Sequence, residues 1–326
     1  MSEWVGHDPV WREWRALRAG SRMHHAWMLV GREGLGKAAF ARAAAAELVA
    51  EPGTHQPPIE HHPDIHWLAQ LPATDDDSKK REDGRVYATK RNISVDQIRE
   101  MQRRLVTRPT LGSRRVVVID PADVMEKGAA NALLKSLEEP PQGTFFLLVV
   151  HQPGRLLPTI RSRCQVLRFR TLDTAEMSQV LTLRAPDLDA LTREAAIAVG
   201  GGSPGAALAF AGQDLGKAWQ IMRQIVARGD ADLALRAALS ALIGQRPDRY
   251  RQVAALTAAR MVLVAEMGGA ASHSALAYAH SALVQLAREA PTYNYDPGLL
   301  MLEIGALLAG AHQAETGVFP PEAKMI

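Results

Sequence analysis

AWMLVGREGLGKAAFARAAAAELVAE, residues 26–51, is the stretch that decides the fold. AWMLVG (26–31) reads as a buried strand running into a glycine-rich turn, and KAAFARAAAAELVAE (37–51) has the Ala-rich composition of a helix. Strand, loop and helix in that order are what a phosphate loop requires. GREGLGKA (31–38) nearly meets the pattern G-x-x-x-x-G-K-[ST]. Gly31, Gly36 and Lys37 are in register and Gly34 lies between them, but Ala38 stands where the pattern has Ser or Thr. In such a loop the backbone N–H groups and the helix N-terminus surround phosphate oxygens, the lysine supplies a cation and the hydroxyl holds Mg²⁺. Here the cradle is kept and the metal ligand is missing; the same turn also serves as a plain strand-to-helix device.

Outward from this stretch, DIHWL (64–68), RRVVVID (114–120) and TFFLLVV (144–150) read as further strands. The last two are continuous β-branched and aromatic runs, as strands covered on both faces require. Alternation with helical stretches from Trp11 to about residue 172 predicts an α/β domain with a parallel sheet. VVVID places Asp120 at the C-terminal end of a strand, where a phosphate-loop protein has its metal-binding carboxylate. The alternative is that Asp120 caps a turn in DPAD, and Pro121 suits that reading.

PATDDDSKKREDGRVYATKRN (72–92) is highly charged without a helical stripe, which predicts a solvated loop or hairpin. After it, Ser94 is placed to cap a helix with Gln97 three residues on, and Ile98, Met101 and Leu105 share one face. Arg99, Arg103, Arg104 and Arg108 populate the remaining surface; with Arg114 and Arg115 they form either a DNA-phosphate contact or an ordinary solvated face. From about 173 the strand pattern ends. TAEMSQVLTLRA, DALTREAAIAVGG and SPGAALAFAGQ predict three short helices, followed from about 215 by Ala/Leu-rich helical sequence. Breaks fall at Arg228-Gly229-Asp230, Gln245-Arg246-Pro247, Gly268-Gly269 and Pro291, with no fixed-period repeat, which favours a helical bundle over a solenoid.

The 326 residues suffice for two or three domains. A formal charge of +3 decides nothing about nucleic acid. Cys164, the single cysteine, rules out an internal disulfide framework and any multi-cysteine zinc site. In EPGTHQPPIEHHPD (51–64), His55, His61 and His62 come without thiolates or a carboxylate pattern, so a solvated loop is expected there rather than a metal. MSEWVGHDPVWREW lacks the apolar core of a leader, and no segment is a continuous apolar run of membrane-spanning length. The expectation is a cytoplasmic protein with no membrane partner.

GAANALLKSLEEPPQGTFFLLVV and LLPTIRSRC, between residues 128 and 164, closely resemble the AAA+ subunits of the bacterial clamp loader. The likeness spans nearly the whole chain: strongest from 112 to 170, clear at 24–40 and 200–210, weak in the C-terminal third. It implies an AAA+ domain over 1–172, a parallel sheet with helices on both faces. A small helical lid over 173–213 and an all-α collar over 214–326 would follow it. It also implies that Arg163 of the Ser162-Arg163-Cys164 motif acts as an arginine finger on ATP held by a neighbouring subunit.

ATP-hydrolysing members of the family end the phosphate loop in Ser/Thr, carry an Asp-Glu pair and bind zinc through cysteines. This chain has Ala38, Pro121 after Asp120, and no such cysteines. Val150 and His151 fall where active members keep a small polar sensor, and Gly205 where they have a nucleotide-contacting Arg. These losses follow the δ′ pattern. The implied role is a non-hydrolysing subunit with a degenerate nucleotide site at Gly31, Gly34, Gly36, Lys37 and Asp120, doubtful binding of ATP or ADP, and no zinc. The implied partners are the γ/τ motor and δ subunits, primer–template DNA in the assembly and, indirectly, the sliding clamp. The rival is an active AAA+ motor ATPase with a substituted metal shell.

Overall fold

The computed structural model describes residues 5–20, 23–244, 247–267, 273–290 and 295–315. The predicted breaks at Gln245, Arg246, Gly268, Gly269 and Pro291 lie outside the described residues. The chain divides into two compact units, Met1–Thr171 and Leu172–Ile326.

In chain order the first unit comprises α1 (Asp8–Ala19), β1 (Ala26–Val30), α2 (Lys37–Val49), β2 (Ile65–Leu68), α3 (Asp75–Glu82), α4 (Val95–Leu105), β3 (Arg115–Ile119), α5 (Lys127–Glu138), β4 (Thr144–Val150), α6 (Pro158–Arg161) and β5 (Gln165–Arg168). The strands form one sheet in the order β2-β3-β4-β1-β5. All pairs are parallel, with Val30 opposite both Val150 and Arg168. Strand alternation sends Trp27, Leu29, Val116, Val118, Leu147 and Val149 to one face, where α1 and α2 cover them. Met28, Val117, Ile119, Phe146 and Leu148 go to the other, under α4, α5 and α6. Both faces are therefore dry, which is why β3 and β4 are apolar throughout.

Four of the five strands fall where the sequence places them. The exception is β5, an edge strand with both end residues exposed and Val166 only partly covered. Its Leu167 is fully buried. A second element absent from the sequence reading is α1, whose Trp11 and Trp14 pack on Phe40 of α2 at ring separations of 4.3 and 5.8 Å.

The 72–92 segment corrects the loop expectation. Thr74 caps α3 by accepting from Asp77 N at 3.1 Å, and Asp77 in turn accepts from Ala88 N at 3.1 Å. A bridge between Pro72 and Thr89 closes the base. The helix is polar all round and rests on its cap and charge pairs such as Lys80–Asp76, so a hydrophobic stripe could not announce it. By contrast α4 forms as read: Ser94 N donates to Gln97 Oε1 at 3.1 Å, and Ile98, Met101 and Leu105 are buried.

The second unit is all helical among its described residues: α7 (Thr174–Arg184), α8 (Ala190–Gly200), α9 (Pro204–Ala211), α10 (Gly216–Arg228), α11 (Ala234–Ile243), α12 (Arg249–Glu266), α13 (His273–Glu289) and α14 (Pro297–Glu315). The three predicted short helices are α7, α8 and α9, opened by side-chain caps from Asp173, Asp189 and Ser203. Gly205 is exposed in the first turn of α9.

Candidate functional site

The phosphate loop lies between β1 and α2 at the C-terminal edge of the sheet. Gly34 (φ 77°) and Gly36 (φ 82°) occupy the left-handed region that glycine adopts without penalty. Gly31 has a different reason: a Cβ there would sit 2.5 Å from the Phe169 carbonyl oxygen just beyond β5. Gly31 N donates to Val150 O at 3.2 Å, tying the loop to the end of β4. From below, His7 Nε2 bonds Leu35 O at 2.7 Å, and Leu35 is buried among Val10, Phe40 and Phe169.

Lys37 is buried at 2% exposure. Its Nζ donates to Gly31 O at 2.7 Å and Arg32 O at 2.5 Å, both carbonyls of its own loop. Burial pushes its pKa down to about 8, against the opposing pull of Asp120, Asp123 and Glu33. Asp120 follows β3, with its N–H on Leu68 O at 2.9 Å. Burial pushes its carboxyl above the usual carboxylate range, with His151 and Lys37 opposing. His151 is held below the ordinary imidazole range by burial first and by Lys37 second. The structure thus brings Gly31, Gly34, Gly36, Lys37 and Asp120 to one edge of the sheet.

Asp123, which the sequence reading did not single out, is buried and accepts from His151 N (2.9 Å) and Gln152 N (3.1 Å). It fixes the backbone after β4, and its only sequence cue is its place in DPAD.

As a metal shell this set is poor. Ala38 brings no oxygen, and Asp120 is in surroundings that disfavour its anion, whereas Mg²⁺ requires several hard oxygen ligands in near-octahedral array. The residues do not fit a metal–nucleotide complex of the hydrolysing kind. In the 51–64 segment, His62 corrects the solvated-loop expectation. It is buried, its Nε2 bonds Gln56 Oε1 at 2.6 Å and its Nδ1 accepts from Asp64 N at 3.0 Å. Both ring nitrogens are engaged in holding the loop.

Arg163 stands far along the chain, following the one-turn α6 and its C-cap Ser162. It is half-buried, 2.7 Å from Glu138 Oε1 through Nη2, while Nη1 donates to Thr159 O at 3.0 Å. Ser162 Oγ donates to Thr159 O at 3.1 Å. Burial pushes the Cys164 thiol up to about 12, which marks it as a packing residue of the α5–α6 layer rather than a nucleophile.

The arginine cluster is corrected at one position. Arg115 is 3% exposed, donates to the carbonyls of Arg104, Thr107 and Arg108 at 2.8–3.0 Å, and faces buried Asp64 at 3.9 Å. It ties the end of α4 to β3 and is not a surface cation. Arg99, Arg103 and Arg104 are exposed, and they pair along α4 with Asp96 and Glu100.

A glycine-turned phosphate loop after β1, a five-stranded parallel sheet covered on both faces and a following helical unit define an AAA+ module. The chain belongs to the DNA polymerase III δ′ family: residues 6–173 match the family described as "DNA polymerase III, delta subunit". It is similar to DNA polymerase III subunit delta′ of Pseudomonas aeruginosa, 36% identical over 200 residues, covering 61% of this chain and 60% of that protein. The subunit delta′ of Escherichia coli K12 is 31% identical over 217 residues, 63% of this chain and 60% of the relative. Subunit tau/gamma of Haemophilus influenzae is 32% identical over 164 residues, 49% of this chain and 22% of that protein. The matched region thus spans 60% of the length of the two delta′ relatives. The chain is a DNA polymerase III clamp-loader-related subunit, and no helix among its described residues is long and apolar enough to cross a membrane.

Proposed function

We propose that this chain is the δ′ subunit of a cytoplasmic clamp loader: a non-hydrolysing, comparatively rigid partner of ATP-driven γ/τ and δ subunits that helps load a sliding clamp on primed DNA. In this reading, residues 1–172 are the AAA+ domain, 173–213 a lid and 214–326 the collar through which the ring assembles. The chain uses no zinc and requires no nucleotide of its own. Its contribution to catalysis is Arg163, reaching the γ-phosphate of ATP on a neighbour, where a guanidinium stabilises charge that develops during transfer.

The observation that carries the reading is the state of the phosphate loop. The hydroxyl is missing at Ala38, and the motif lysine, Lys37, donates to the carbonyls of Gly31 and Arg32. The concordant replacements at Pro121, His151 and Gly205 support it, since each removes a separate part of the hydrolytic apparatus.

The test is an assembled loader whose γ/τ partners have lost their own phosphate-loop lysines. If this chain does not hydrolyse ATP, turnover falls to background. Persisting turnover that disappears on Lys37→Ala would instead make it a motor ATPase with a substituted metal shell.

A further inference from the structure

Arg163 is held within its own chain by both terminal guanidinium nitrogens. Nη2 lies 2.7 Å from Glu138 Oε1; Nη1 donates to Thr159 O at 3.0 Å and more weakly to Ser162 Oγ at 3.4 Å. Glu138 is the last residue of α5, followed by Glu139 and then Pro140 and Pro141. A carboxylate at the C-terminal end of a helix faces the negative end of the helix dipole, so Glu138 depends on a nearby cation. Arg163 is that cation.

The pair is half-exposed, with side chains 37% and 49% accessible. In that setting an ion pair is weak and exchangeable. A guanidinium fork also presents the same geometry to carboxylate and phosphate oxygens, so a phosphate arriving at Arg163 competes with Glu138 for Nη2.

We propose that Glu138 parks Arg163: it is an intramolecular counter-ion that holds the guanidinium against α5 until phosphate oxygens of a nucleoside triphosphate on another chain displace it. The inference rests on the reading of Arg163 as a residue that acts in trans. Glu138 is then a positioning residue that sets the fraction of time Arg163 is free. Removing its charge releases the guanidinium without altering any group that meets the nucleotide.

The test is the ATPase of the assembled loader, measured against ATP concentration, with wild-type chain, E138Q, R163A and the E138Q/R163A double variant. The expected result is that E138Q raises kcat/KM about two- to fivefold, as loss of a weak exposed pair implies. R163A lowers it strongly, and E138Q changes nothing in the R163A background. A kcat/KM for E138Q equal to or below wild type overturns the parking role. An equal effect of E138Q in both backgrounds also overturns it, because Glu138 then acts on the structure and not through Arg163. Full activity of R163A removes the trans-acting reading itself, a separate failure visible in a different arm.

Discussion

The phosphate loop and the Ser162-Arg163-Cys164 turn lie in one α/β unit, yet they have kept opposite things. The loop preserves its backbone, with Gly34 and Gly36 in the left-handed region and Gly31 where no side chain fits, while Ala38 brings no hydroxyl and Lys37 Nζ donates to the carbonyls of Gly31 and Arg32. The α6 turn is anchored in the core by Ile160 and Cys164, and Arg163 ends half-exposed in an ion pair with Glu138. Backbone geometry is enforced by packing whether or not a ligand is used. A half-exposed guanidinium is held by packing far less than such a loop is, so its presence within the motif is the stronger support for the proposed role.

That contrast can be broken most decisively on the α6 side. R163A should lower turnover by on the order of 10³-fold at the nucleotide site Arg163 completes, with assembly intact; single-turnover hydrolysis and gel filtration of the reconstituted loader report the two quantities. On the loop side, Gly31→Ala drives a Cβ to 2.5 Å from the Phe169 carbonyl and 3.1 Å from Leu35 Cδ1. It should destabilise the isolated chain by about 1–3 kcal/mol in urea unfolding, as overpacking does. An unchanged midpoint would mean that the loop is not the structural element it is taken to be here.

A smaller effect comes from Lys37. Its folded pKa of about 8 lies below the ordinary 10.5. Below pH 8 both folded and unfolded chains hold the proton, and the buried cation costs its full penalty. Between pH 8 and 10.5 only the unfolded chain still binds the proton, so stability rises with pH. The stability of wild type minus that of K37M should therefore increase across this window by about 1 kcal/mol per pH unit; a flat difference would contradict the burial. The smallest effect expected is from A38S. Restoring the hydroxyl leaves Pro121 and His151 in place, so the isolated chain should turn over ATP no faster than before, and measurable hydrolysis by A38S would show that the loop lacks only one group.

What was legible in the sequence tracks how locally each feature is caused. β1, the loop, α2, β3 and β4 are written in contiguous residues, and the capping box of α4 needs only Ser94 and Gln97. β5 was missed because an edge strand buries one residue in four and leaves no apolar run. α3 was missed because a helix without a buried stripe has no periodicity to read. Arg115 and His62 were misassigned because their partners come from elsewhere in the fold: Asp64 is 51 residues before Arg115, and Gln56 is set against His62 only by the turn between them. The glycine and lysine positions of the site were legible. The return of Lys37 to its own loop carbonyls, and the bond of Arg163 to Glu138, depend on side-chain rotamers that no motif encodes.

The central claim is that the phosphate loop of this chain is scaffold and its catalytic contribution lies at Arg163. The most direct measurement is the steady-state ATPase of the reconstituted loader carrying K37A in this chain alone. The account predicts turnover equal to wild type, and a fall to the level of R163A would contradict it.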